Sequence, residues 1–308
     1  MAKHKVLIST SAFGTGDPAP IKALESAGFE VILNPFKRKL TRQESVSLMA
    51  GVEGLIAGLE VLDEQLLAQS QLKVISRCGA GISNVDLKAA KRLNIQVLST
   101  PDAPTIAVAE LTIGAMLALI RSIFQMNQHM HAGQWHKMMG SQMAGKTILI
   151  LGFGRIGQKV AEFLGPFQVN IIVVDPLVKK AEGVSCLALQ DALPLADIIT
   201  IHVNGESPLL GSAEFSLMKK GVCILNAARG RVIDELALVS ALQTNKVAAA
   251  WCDVFDEEPY QGPLQKFPQV ILTPHIGSYT EECRRLMEMQ AAQHLIAAFQ
   301  SLGCHVHP

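Results

Sequence analysis

The hydrophobic positions of this chain fall into short continuous runs. KVLIST (5–10), EVILNP (30–35), GLIAG (54–58), KVISRC (73–78) and QVLST (96–100) are apolar on successive residues. Runs of that kind suit strands buried on both faces of a parallel sheet. The segments between them, 20–28, 41–51, 62–69 and 85–94, read as helices. Five strands alternating with helices predict a doubly wound α/β domain.

Pro101 and Pro104 break the pattern. One long helix is then expected from Thr105 to Ala132, with Gly133 as its stop. Its apolar positions are dense on most faces, so a domain or subunit interface is expected along it. A second βα series follows, with strands at 146–153, 170–175, 196–203, 222–228, 247–255 and 269–275. Residues 280–303 read as a final helix.

The strand at 146–153 runs into LGFGRIGQKV (151–160), where Gly152, Gly154 and Gly157 form G-x-G-x-x-G between a strand and a helix. That context makes the motif a dinucleotide signature. Gly152 permits the tight turn, Gly154 lets a pyrophosphate approach the backbone, and Gly157 lets helix and strand pack closely. The anion is expected on the helix N-terminus. The next strand ends in Asp175, about 18 residues beyond Gly157. An acid there bonds ribose hydroxyls and repels a 2′-phosphate, which favours NAD over NADP. Lys179 and Lys180 follow closely and weaken that preference, and a turn-forming role for Asp175 before Pro176 is the structural alternative.

Ligands of open α/β sheets bind outside the carboxyl ends of the strands. The later strands deliver Arg229, Asp253 with Glu258, and His275 to such ends, and KVISRCGAG places Gly79, Ala80 and Gly81 at another. Taken singly, Arg229 reads equally as a surface cap, Glu258 as solvated charge in an acidic run, and His275 as a hydrogen-bonded core histidine. One shared cleft explains all three. Its chemistry would be hydride transfer between nicotinamide and a carbonyl carbon. His275 would supply the proton and Glu258 would orient its ring. Arg229 would hold a substrate carboxylate, as would backbone N–H groups around Ala80 and Gly81. No G-x-S-x-G, H-E-x-x-H or Walker A turn is present, and no metal is expected.

Composition narrows the partners. Lys+Arg and Asp+Glu number 27 each in 308 residues, and no basic block stands out. Nucleic acid and anionic membranes are therefore not expected partners. The longest apolar stretch, 107–120, carries Glu110 and is too short to span a bilayer. Six scattered cysteines without a C-x-x-C pair read as reduced thiols of a cytoplasmic protein.

RCGAGISNVDLKAA, VAELTIGAMLALIR, AGQWHKMMGSQMAGKTILILGFGRIG, LNAARGRVIDELAL, CDVFDEEP and LTPHIGS, in this order, resemble the D-isomer-specific 2-hydroxyacid dehydrogenase family. The likeness is strongest to its branch acting on 3-phosphoglycerate in serine biosynthesis. The resemblance implies a flavodoxin-like substrate domain of residues 1–101 plus 280–308. Into it a Rossmann cofactor domain of residues 102–279 is inserted, with a homodimer formed through the long helix. It implies Arg229, Glu258 and His275 as the catalytic set, with NAD as cofactor. Gly152, Gly154, Arg155, Ile156, Gly157, Asp175, Val203, Ala227, Ala228, Asp253, Gly277, Ser278 and Ala80 would contact the cofactor. Arg77, Gly79, Ala80 and Gly81 would join Arg229 and His275 around a small 2-hydroxy or 2-keto acid.

The sequence departs from that branch in three places. No regulatory domain follows the closing helix, so serine feedback is not expected. Gly58 stands where several phosphoglycerate enzymes carry a phosphate-binding Arg, although Arg77 is kept. IHVNGESPLLG (201–211) replaces a Pro-containing segment near the adenine. A reductase of unphosphorylated keto acids such as hydroxypyruvate or glyoxylate is thus the alternative substrate reading. An NAD(H)-sensing binding protein and a phosphite dehydrogenase are more distant ones.

Overall fold

The computed structural model describes residues 3–205, 207–304 and 306. Two compact units partition the chain, Met1–Pro104 with Tyr279–Pro308, and Thr105–Ser278.

In the first unit, β1 (Lys5–Ile8), β2 (Glu30–Leu33), β3 (Gly54–Ala57), β4 (Val74–Arg77) and β5 (Gln96–Ser99) form a parallel sheet in the order β2-β1-β3-β4-β5. Helices α1 (Ala19–Ser26), α2 (Arg42–Leu48), α3 (Glu64–Ala68) and α4 (Leu87–Arg92) connect the strands. Short polar side chains start three of these helices. Thr41 closes a capping box with Glu44, while Asp63 and Asp86 accept from Leu66 N and Ala89 N. The strand runs are apolar throughout because the sheet is covered on both faces. Leu7, Leu55 and Ile75 pack with Leu66 and Ala89 on one side, and Val6, Ile8, Ile56 and Val74 pack on the other.

The second unit contains a seven-stranded sheet. Its strands are β6 (Thr147–Leu151), β7 (Asn170–Val174), β8 (Ser185–Cys186), β9 (Ile198–Ile201), β10 (Val222–Asn226), β11 (Val247–Cys252) and β12 (Val270–Leu272). They are all parallel, in the order β12-β11-β10-β9-β6-β7-β8. Six strands are expected from the sequence. The seventh, β8, is a two-residue edge strand with no apolar run to announce it. Strand order reverses between β6 and β9, so the carboxyl ends of these two strands flank the switch point.

The expected long helix is two helices, α5 (Thr105–Ile120) and α6 (Ile123–His131), bent by 66°. The break has a visible cause. Ser141 N donates to Ile120 O at 2.8 Å, capturing the carbonyl that would continue the helix, and Ser122 turns left-handed with φ 49°. Helix α5 packs Ala109, Ala115, Met116 and Leu119 into the core of its own unit, whereas α6 has no buried residue. No single helix among the described residues is long and apolar enough to cross a membrane.

Helices α7 (Arg155–Leu164), α8 (Leu189–Ala192), α9 (Ser212–Leu217) and α10 (Glu235–Gln243) complete this unit. The last helix, α11 (Glu281–Ser301), belongs to the first unit. Its Leu295 and Phe299 lie against β3 because Gly54 leaves room: a Cβ there would stand 3.0 Å from Phe299. Glu288, buried on α11, accepts from Gly14 N at 2.8 Å and from Arg284 at 2.5 Å.

Candidate active site

The three glycines of the β6–α7 turn carry different loads. Gly152 has φ 90°, and a Cβ on it would stand 2.7 Å from His202 O at the end of β9. A Cβ on Gly157 would stand 2.1 Å from Gly152 O, so only glycine lets α7 descend onto the turn. Gly154, the N-cap of α7, has nothing within 4 Å of its Cβ position. The protein backbone thus accounts for the first and third glycines. The second opens a space over a helix N-terminus, and that cradle fits a dinucleotide pyrophosphate.

Asp175, just after β7, turns both carboxylate oxygens to local N–H groups. Oδ2 accepts from Phe153 N of the glycine turn at 2.7 Å, and Oδ1 from Leu177 N at 2.8 Å. The turn-forming role is therefore present, and it ties β7 to the glycine turn. Each oxygen retains a lone pair for a hydroxyl donor. At the end of β9, His202 donates or accepts through Nε2 with Thr200 Oγ1 at 2.9 Å, and its buried Nδ1 has no partner among the described residues. Burial pushes this imidazole down to about 3, so the ring is neutral. Val203 follows it, half-buried; within the divergent segment 201–211, Glu206 lies outside the described residues.

Beyond β10, Asn226 organises the turn that carries Arg229. Its Oδ1 accepts from Ala228 N at 3.0 Å and its Nδ2 donates to Arg229 O at 2.9 Å. Ala228 is buried and Ala227 half-buried. Arg229 Nη1 donates to Ala228 O at 2.6 Å. Gly230 then meets the loop after β11 directly, a Cβ there falling 2.0 Å from Phe255 C. That contact sets the Arg229 turn against the segment leading to Glu258. Tyr260 anchors the far side of this segment, stacked on Phe255 at 4.2 Å and accepting from Leu264 N at 3.1 Å.

Glu258 and His275 meet across 17 residues of sequence. His275 Nδ1 lies 2.9 Å from Oε2 and 3.1 Å from Oε1 of Glu258, and Phe255 N donates to Oε1 at 3.2 Å. With the carboxylate on Nδ1, the proton-bearing alternative atom is Nε2, on the other side of the ring. His275 itself is left-handed, φ 54°, with its N–H donated to Thr273 O at 2.9 Å.

This conformation is held by Asp253. The buried carboxylate accepts from Thr273 Oγ1 at 2.6 Å, Ile276 N at 2.9 Å and Gly277 N at 2.8 Å. Thr273 Oγ1 is in turn bonded by Trp251 Nε1 at 2.9 Å. Asp253 is thus the post around which the His275 loop, through Gly277 and Ser278, is wrapped. Sequence reasoning singles out Asp253 for the cofactor and misses this bracing role. It also misses Asn226, Gly230, Thr273 and His202. Their only sequence signal is a polar or glycine residue at the end of an apolar strand.

In the first unit, Arg77 Nη1 donates to Cys78 O, and the guanidinium lies across Gly79, whose φ is 144°. Gly79 N donates to Thr100 Oγ1 at 2.9 Å. Its N–H is therefore spoken for, whereas those of Ala80 and Gly81 have no partner among the described residues. Cys78 is buried, which pushes its thiol up to about 12.

Comparison with known proteins agrees with this geometry. Residues 113–277 match the family model "D-isomer specific 2-hydroxyacid dehydrogenase, NAD binding domain". D-3-phosphoglycerate dehydrogenase of Homo sapiens is 39% identical over 293 residues, covering 91% of this chain and 54% of that protein. Glyoxylate reductase of Aeropyrum pernix is 37% identical over 258 residues, covering 78% of this chain and 77% of that one. The chain spans about half the length of the phosphoglycerate dehydrogenases it matches. The crystal structure of a glyoxylate reductase from Paecilomyes thermophila superposes with a TM-score of 0.88 at 29% identity, covering 97% of this chain and 96% of that one. The chain therefore belongs to the D-isomer-specific 2-hydroxyacid dehydrogenase family, with residues 113–277 forming its NAD-binding domain.

Proposed function

We propose that the protein is an NAD-dependent oxidoreductase interconverting D-2-hydroxy acids and 2-keto acids. The observation that carries this reading is the His275–Glu258 pair, at 2.9 Å, beside the Arg229 turn at the carboxyl edge of the cofactor sheet. NAD, when bound, supplies or accepts the hydride. Its pyrophosphate is assigned to the Gly154–Arg155–Ile156 turn, and its ribose to Asp175. Val203, Ala227, Ala228, Gly277, Ser278 and Ala80 are the further contact positions.

In the reductive direction His275 Nε2 delivers a proton to the carbonyl oxygen, and the Glu258 carboxylate stabilises the imidazolium before transfer. Arg229 binds the substrate carboxylate and polarises the carbonyl. The first unit contributes Arg77 and the backbone of Gly79, Ala80 and Gly81 to substrate recognition. The serine-biosynthetic role stands or falls with a phosphorylated substrate. Six cysteines, all unpaired, suit a reducing cytosol.

A homodimer is part of the same reading. Ile123, Phe124, Met130 and Trp135 are at least half exposed in and after α6, and an exposed apolar patch of this kind suits a subunit contact.

The test is NADH oxidation with a panel of 2-keto acids, comparing wild type with His275→Ala. Turnover is expected to fall about 10²–10⁴-fold while NADH still binds. Unchanged turnover would sink the mechanism.

A further inference from the structure

The segment MNQHMHAGQWHKMM (126–139) carries chemistry that the dehydrogenase reading leaves unused. It places three histidines and four methionines within 14 residues. Short His-rich tracts of this kind hold metal ions.

The fold brings two of these histidines together. Gly133, with φ 74°, ends α6 and turns the chain back along it. Gln134 N donates to His129 O at 2.8 Å, Met138 N to Met126 Sδ at 3.5 Å and Ser141 N to Ile120 O at 2.8 Å. Residues 134–141 therefore run antiparallel to α6, and His136 comes to lie against His129. Their ring centroids are 5.1 Å apart with the planes at 83°. Neither imidazole makes a hydrogen bond among the described residues, and His129 Nδ1 is shut off from solvent. An ion about 2.0 Å from an imidazole nitrogen lies about 3 Å from the ring centroid, so two rings sharing one ion stand about 5 Å apart. The last turn of α6 holds His129, and the helix dipole favours a cation there.

The third donor decides which ion. No group of three or more His, Cys, Asp and Glu side chains among the described residues could hold a metal. Met126, however, lies one turn before His129 on α6, where residues three apart are neighbours. Its sulfur already faces Met138, two residues beyond His136. A thioether is a soft ligand that selects Cu(I), whereas Zn(II) takes thiolate, imidazole or carboxylate.

We propose that His129, His136 and Met126 form a Cu(I)-binding site at the C-terminal end of α6, apart from the NAD cradle. Met130 and Trp135, assigned above to the subunit contact, are not among the ligands.

The experiment titrates wild type, His136→Gln and Met126→Leu with Cu(I) under argon, in competition with bicinchoninate. A parallel titration uses Zn(II) against a fluorescent zinc chelator. Cys186 and Cys304, the thiols that are not fully buried, give a Cu(I) background common to all three proteins. Wild type should bind one more Cu(I) per chain than His136→Gln. Met126→Leu should weaken that Cu(I) about tenfold or more and leave Zn(II) affinity within about twofold. Unaltered NADH binding reports that each variant is folded, since neither residue is assigned to the cofactor or the catalytic set. Equal Cu(I) stoichiometry in wild type and His136→Gln overturns the site, leaving the two rings as a stacking contact. Cu(I) lost in His136→Gln but kept at wild-type affinity in Met126→Leu overturns the thioether ligand and the choice of ion with it.

Discussion

A methyl group on Gly157 would lie 2.1 Å from the carbonyl oxygen of Gly152. Both partners are main chain, so neither can swing aside. Gly157→Ala should cost about 1–3 kcal/mol or more, seen as a lower Tm even without ligand. Gly154→Ala should behave differently. Its Cβ meets nothing within 4 Å and its φ is −75°, so stability should change little. The methyl would instead occupy the pyrophosphate space, and NADH affinity should drop at least tenfold. Thermal melts and NADH titration of the two variants check this. Equal melting losses in both would contradict the division of labour among the glycines.

Glu258→Gln keeps the shape of the side chain beside His275 Nδ1 but removes the charge that stabilises the imidazolium. In the reductive direction kcat should fall about 10²-fold. NADH affinity should be unaltered, because Glu258 is assigned to orienting the His275 ring and not to a cofactor contact. Steady-state kinetics with a fluorescence titration of NADH separates the two effects. A variant with wild-type kcat would show that the pair is structural.

His202 links pH to stability. Burial lowers its folded-state value to about 3, below the unfolded value of about 6.5. A depressed value means the folded protein excludes a proton that the unfolded chain accepts. Its stability contribution is therefore complete above about pH 6.5 and is lost as pH falls toward 3, on the order of 1 kcal/mol per pH unit. Urea midpoints measured from pH 7 to pH 4 should decline, and His202→Gln should decline less steeply. Parallel curves for the two proteins would refute the assignment.

Phe124 is half exposed on a helix that buries nothing within its own unit. Phe124→Glu places a charge in the expected subunit contact and should shift the protein from dimer to monomer in sedimentation velocity. The Tm of the variant should report whether the fold survives. A dimer that persists at micromolar concentration would move the interface elsewhere.

The strands and the turn chemistry were legible from local sequence. A strand covered on both faces has to be apolar on successive residues, and that physical requirement leaves the same mark on β1, β6 and β10. Gly157 is forced by a backbone contact with Gly152 in the same turn, and Gly152 by its positive φ, so their spacing announces them. The sequence also placed Arg229, Glu258 and His275 at strand ends, because each follows its apolar run directly or within a few residues.

What only the tertiary structure decided are interactions between segments far apart in the chain. Helix α5 stops at Ile120 because Ser141 captures its last carbonyl; no Pro or Gly marks that place. Asp253 becomes a post for the His275 loop because donors 20 to 24 residues later converge on it. Glu60 is buried because Ser9, about 50 residues earlier, arrives with a hydroxyl at the same sheet edge. A lone acid in GLEV carries no sign of burial. Its desolvation is tolerable only where folding delivers the donors, and that delivery is a property of the sheet order rather than of any local pattern.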